Sequence, residues 1–183
     1  VIKGSDLDPS GKLFFEDARI KSEPLGDNKF KVSVHEEVAP GIYDFRHGGK
    51  SGTTSSLSFL VSNLEEVTVK NEAITKDKAM LVDHSMFLNG LAQKGNAHFF
   101  KFFLNENERV FVDCFAERVN SRMDALIVVE DPNGKEVGRS REAVGGDPLI
   151  DLIAQKSGEY ILRVSDFLTR GGDDYWYRIR IRK

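Results

Sequence analysis

The carboxylates, histidines and single cysteine of this 183-residue chain are of types that do chemistry, and their spacing restricts what they could do. Near the end, "GGDD" places Asp173 beside Asp174. Adjacent carboxylates on a strand point to opposite faces, which suits neither an acid/base pair nor one shared metal. Gly171 and Gly172 supply the free backbone of a loop, so the segment is predicted to be a turn between two strands. "DLDPSGKLFFED" is the sharper metal candidate. Asp6, Asp8, Ser10 and Gly11 fall at positions one, three, five and six of an EF-hand-like loop, with Asp17 at twelve. Against calcium there, no helical pattern flanks the loop, Pro9 sits inside it, and Asp17 stands where a bidentate Glu is usual. No metal or other cofactor is expected, and calcium at Asp6, Asp8, Ser10 and Asp17 is the alternative.

For nucleophilic catalysis the chain offers no G-x-S-x-G elbow and no H-E-x-x-H pair. His35, His47, His84 and His98 are scattered. Cys114 alternates with Val110 and Val112 and reads as a buried small apolar residue. The strongest binding candidate is one face of the last apolar-alternating run, "YWYRIRIRK". Trp176, Arg178, Arg180 and Arg182 share it, and an exposed indole beside guanidinium groups could stack on sugar rings or dock a partner. The competing reading is cross-strand pairing of those arginines with carboxylates such as Asp113 and Glu117.

The elements that must position these residues are strands. Apolar stretches alternate with period two and are bounded by Gly, Pro, Asn or Asp. "KLFFED", "KFKVSVH", "GIYDFRH" and "SSLSFLVSN" read as four strands in the first 63 residues. Between residues 64 and 78 the pattern weakens, with one short strand at "EVTVK", and the domain boundary is placed near 65. Clearer strands follow at "AHFFKFFL", "ERVFVDCFAER", "PLIDLIA", "GEYILRVSD" and "YWYRIRIRK". "DALIVVEDPNGKEVGRS" reads as a hairpin turning at Pro132, Asn133 and Gly134. The four phenylalanines at 99, 100, 102 and 103 are expected in the core. No segment keeps a helical period over ten residues, so the fold class is all-β, of sandwich or barrel type.

Bulk properties exclude several classes. A formal charge of -3 and pI near 5.9 argue against a nucleic-acid partner. A single cysteine excludes an internal disulfide and a cysteine-rich zinc site. No apolar run reaches the ~18–20 residues of a membrane span. The opening "VIKGSDL" has neither Met nor signal peptide and reads as part of something longer.

The stretches "GLAQKGNAHFFKFFLNENERVFVDCFAER", "MDALIVVEDPNGKEVGRS" and "DPLIDLIAQKSGEYILRVSDFLTRGGDDYWYRIRI" resemble the bacterial pre-peptidase C-terminal (PPC) domain in order and spacing. "GSDLDPSGKLFF" and "VAPGIYDFRH" are similar to motifs of immunoglobulin-like domains of the IPT/TIG kind. The resemblance implies an immunoglobulin-like β-sandwich at 1–65 followed by a jelly-roll β-sandwich at 66–183. It also implies a non-catalytic accessory module of a larger exported bacterial protein, acting outside the cytoplasm in adhesion, spacing or substrate targeting. The partner would be a polysaccharide, a surface polymer or another protein. The alternative is the C-terminal accessory region of a secreted peptidase, involved in maturation or substrate delivery. Calcium-binding relatives carry an acidic, Asn-rich segment before the first sandwich strand. Here "NEAITKDKAMLVDH" lacks that cluster.

Overall fold

The computed structural model describes residues 7–50 and 52–183, so Asp6 lies outside the described residues. The chain divides into two compact units, one ending at Asn63 and the other spanning Leu64–Lys183.

The first unit contains β1 (Lys12–Phe15), β2 (Ile20–Gly26), β3 (Lys29–Val34), β4 (Gly41–Gly49), β5 (Gly52–Thr53) and β6 (Leu57–Val61). The long β4 is the centre: β1 pairs along one edge, and β5 and β6 pair with successive parts of it, all antiparallel. β2 and β3 form a separate hairpin. β2 is the strand that alternation does not reveal. Only Ile20 in "IKSEPLG" is buried, and Pro24, which has no N–H for a ladder, sits at a bulge between Pro24 and Gly26. Three successive left-handed residues, Gly26, Asp27 and Asn28, then reverse the chain, a geometry open mainly to Gly, Asn and Asp. The core is small. Ile20, Val38 and Val61 are buried, with Phe15, Val32, Tyr43 and Phe59 packed against them. Phe15 stacks on Phe45 at 5.3 Å and meets Phe59 edge-on at 5.4 Å.

The second unit contains β7 (Glu65–Thr68), β8 (Met80–Leu81), β9 (Met86–Leu91), β10 (His98–Leu104), β11 (Arg109–Phe115), β12 (Ala125–Glu130), β13 (Glu136–Ser140), β14 (Leu149–Ile153), β15 (Gly158–Asp166) and β16 (Trp176–Arg182). Two five-stranded sheets result, in the orders β13-β12-β15-β10-β8 and β14-β11-β16-β9-β7. The antiparallel pairings are nested: β9 with β16, β10 with β15, β11 with β14, β12 with β13. One long hairpin rolled across two sheets gives this order. The short β7 and β8 join in parallel at the outer edges.

The inward faces of both sheets supply one continuous core. Phe100, Phe102, Leu104, Ile127, Val129 and Leu162 from one sheet meet Val110, Val112, Cys114, Ile179 and Ile181 from the other. Each such burial contributes about 1.5–3 kcal/mol before the entropy of ordering is subtracted. Only two of the four β10 phenylalanines belong to that core. Phe99 is half-buried and Phe103 is 53% exposed on the outer face, because a strand next to the sheet edge has nothing covering its second side. Among the described residues no helix is long and apolar enough to cross a membrane.

Candidate functional site

The acidic segments are engaged by their own loops. Gly172 adopts φ +129° and its carbonyl accepts the Tyr175 N–H at 3.0 Å, closing a turn across "GGDD". The Asp174 carbonyl accepts the Arg122 N–H at 2.9 Å. In the first unit, Asp8 Oδ1 accepts Ser10 N–H at 2.8 Å and Ser10 Oγ–H at 2.6 Å, while Oδ2 accepts Lys50 N–H at 2.8 Å. These bonds, led by that from Lys50, pull the Asp8 carboxyl down to about 2. Gly49 lets the loop approach so closely, since a Cβ there would sit 2.4 Å from Asp8 Cβ. Asp17 is held instead by the Arg19 guanidinium, with Nη2 at 2.6 Å from Oδ2, and its carboxyl is likewise lowered to about 2. β1 separates Asp8 from Asp17, so the two serve different turns. Among the described residues, no three His, Cys, Asp or Glu side chains gather to hold a metal ion.

The outer face of β16 is a packed layer. Across four strands, Glu66, Phe87, Arg180 and Asp113 stand in register, and beside them run Thr68, Asn89, Arg178 and Phe115. Arg180 Nη2 donates to Asp113 Oδ2 at 2.9 Å, and Arg178 pairs with Glu66. Their guanidinium carbons lie over the Phe87 ring at 5.7 and 4.7 Å, and Arg118 covers Phe115 at 4.1 Å. Phe87 and Phe115 are therefore only 2% and 5% exposed although they sit on a sheet's outer face. Trp176 is half-buried beside Leu91, with Nε1 donating to the Val119 carbonyl at 3.3 Å. Arg182 lies over Phe111 at 5.6 Å. Glu117 stands apart from these arginines, and burial together with the charge of Asp147 raises its carboxyl.

Behind this face, fully buried Asp147 organises the turn after β11. Its carboxylate accepts N–H groups from Ala116 (2.9 Å), Glu117 (2.8 Å) and Arg118 (3.1 Å), plus Arg118 Nε–H at 2.9 Å. Arg118 also reaches Asp113 at 2.7 Å. Cys114 is fully buried in the core, and desolvation pushes its thiol far up, away from nucleophilic character. The histidines are dispersed. His98 Nδ1 lies 2.7 Å from the Tyr177 hydroxyl in the core, and burial lowers its pKa. His47 meets Phe30 edge-on, His84 meets Phe102 edge-on, and His35 lies near Glu37.

A second surface, not singled out by motif, lies on the β1–β4 sheet of the first unit. Phe14 pairs with Arg46 across the two strands, so Glu16 and Asp44, two positions along, share its face. Phe14 is 57% exposed. Its ring passes over Gly48, where a Cβ would come within 2.7 Å of Phe14 Cε2. Glu16 Oε1 accepts the Asp44 N–H at 3.0 Å, and Arg46 Nη1 donates to the Thr54 carbonyl at 3.2 Å. Residues 14–16, 44–46 and Ser56 line an open depression of about 340 Å³. The signal available beforehand was the register of "KLFFED", which sends Phe14 and Phe15 to opposite faces.

Neither the family models nor the curated proteins contain a match to this chain. Among solved structures it is similar to the pre-peptidase C-terminal domain of collagenase from Bacillus anthracis, at 15% identity and TM-score 0.47, covering 57% of this chain and 94% of that one. It is also similar to PliG of Aeromonas hydrophila, a periplasmic inhibitor of g-type lysozyme, at 15% identity and TM-score 0.44, covering 64% and 98%. A third likeness is to the secreted serine protease VesC of Vibrio cholerae, at 11% identity and TM-score 0.37, covering 94% of this chain and 42% of that one.

Proposed function

We propose that the chain is a non-catalytic accessory module of a larger exported bacterial protein, which attaches that protein to an extracellular polymer or partner. The observation that carries this reading is the way the polar groups are used. Asp8, Asp17, Asp113 and Asp147 are each engaged by donors of their own fold, and Cys114 is sealed in the core. Large apolar side chains such as Phe14 and Phe103 meanwhile stand exposed on sheet faces. A scaffold that spends its carboxylates on holding loops and presents aromatic rings outward is suited to binding. On this reading the second unit is a PPC-like jelly roll, which its nested strand pairing supports, and the first is an immunoglobulin-like domain of the IPT/TIG kind. An extracytoplasmic location goes with it.

The test is retention of the purified chain on insoluble polysaccharides and fibrous proteins, with calcium and with chelator, alongside a hydrolysis assay on the same materials. Saturable retention without hydrolysis is the expected result. Release of soluble fragments that scales with protein would overturn the reading, and so would absence of retention on every material.

A further inference from the structure

We infer that the depression on the β1–β4 face of the first unit is a subsite for a neutral polysaccharide strand, an inference that rests on the attachment reading above. Three features converge there. Phe14 lies over the bare backbone of Gly48 rather than projecting from the sheet, which presents a fixed aromatic surface for the C–H face of a sugar ring. Glu16 and Asp44 stand beside it. One Glu16 oxygen is anchored by the Asp44 N–H, so its carboxylate is pre-oriented to accept sugar hydroxyls. Arg46, steadied through the Thr54 carbonyl, supplies donors at the same edge, and Ser56 adds a hydroxyl to the lining.

The charge balance selects the occupant. On this face Lys12 and Arg46 match Glu16 and Asp44 in number, so the surface carries no net charge to draw in sulfated, phosphorylated or uronic-acid polymers. The same balance gives a cationic polymer no net attraction. A hydroxyl-rich neutral chain pairs with both kinds of group. The volume of about 340 Å³ lies at the small end of ligand sites, and its open form lets a polymer continue past it. This places the contact on a different unit from Trp176.

The test is affinity electrophoresis of the full chain through gels containing a soluble neutral β-glucan, a neutral xylan, or carboxymethyl-cellulose as the anionic counterpart. Wild type, Phe14→Ala, Asp44→Asn and Trp176→Ala are compared, each checked for an unchanged thermal midpoint. The expected result is retardation of wild type and Trp176→Ala in a neutral gel, with affinity reduced about tenfold in Phe14→Ala and severalfold in Asp44→Asn. Retardation lost in Trp176→Ala and kept in Phe14→Ala would overturn this site while leaving attachment intact. Preference for carboxymethyl-cellulose would overturn the neutral occupant. No retardation in either neutral gel overturns the subsite, and retention on fibrous protein then decides separately whether attachment survives.

Discussion

Replacing Asp147 by Asn tests whether the outer face of β16 is held from beneath. The carboxylate is fully buried and accepts three consecutive backbone N–H groups as well as Arg118 Nε–H. The amide keeps the shape but loses the charge, and turns an NH2 group toward donors. Removing one partner of a buried ion pair costs about 3–5 kcal/mol. Arg118 retains Asp113 at 2.7 Å and is 17% exposed, so the low end applies, about 3 kcal/mol. For a unit spanning Leu64–Lys183, that corresponds to a fall in thermal midpoint of roughly 12 °C. The assay is urea unfolding followed by tryptophan fluorescence. Trp176 is the single tryptophan and donates to Val119 in the turn that Asp147 organises, so the signal reports this unit alone. A loss below about 1 kcal/mol would refute the argument, since it would equal one ordinary hydrogen bond.

Gly171→Ala is expected to cost about 3 kcal/mol, because its Cβ would meet backbone atoms of residues 92–94 that no rotamer change can move, the nearest at 2.3 Å. Gly172→Ala, strained at φ +129° but facing open space, should cost about 1 kcal/mol, and equal losses in urea unfolding would contradict the packing argument. Burial lowers the pKa of His98 below its ordinary 6.5, so the unfolded chain takes up a proton that the folded one refuses. Stability is then full above pH ~6.5 and declines as pH falls through that value. His84 is shifted the same way, so the measurement is the difference in slope between wild type and His98→Gln below pH ~6.5, expected to be steeper in wild type with a ceiling of about 1.4 kcal/mol per pH unit for one proton. Indistinguishable slopes would show that His98 is protonated in the fold. Cys114 should resist a thiol-reactive disulfide reagent in buffer and react fully in urea, whereas labelling of the native chain at the rate of an exposed thiol would place it at the surface.

Alternation with period two was sufficient to assign β10, β11, β15 and β16 as strands, and in β11 and β16 to predict which residues face inward. It assigned Val110, Val112 and Cys114 to the core and sent Asp113 and Phe115 outward. It failed at β2, where one buried residue in seven leaves no pattern to read. It also could not separate Phe103 from Phe100, because a run of aromatics looks buried on both faces whether or not a second layer covers it. Exposure of the outer side depends on which strand lies next to β10 and on what crosses over it, and neither is local to "FFKFF".

The same reason explains the candidate site on β16. Trp176, Arg178 and Arg180 do share a face, as alternation requires. What those arginines meet is set by strands far away in sequence: Phe87 arrives from β9, Asp113 and Phe115 from β11, and Glu66 from β7. Only the rolled pairing of β9 with β16 and of β11 with β16 turns an apparent basic surface into a layer of guanidinium groups over aromatic rings, each with a carboxylate at its end. Such a layer holds its arginines in fixed directions and keeps their side chains 16% and 25% exposed, leaving less of them to greet a ligand than the strand alone implies. On the first unit the balance is reversed. Among the described residues no cation stacks on Phe14, and its exposure goes with the bare glycine beneath it. An exposed aromatic ring marks a contact surface better when its own fold has not already covered it, and by that criterion the β1–β4 face takes precedence over β16.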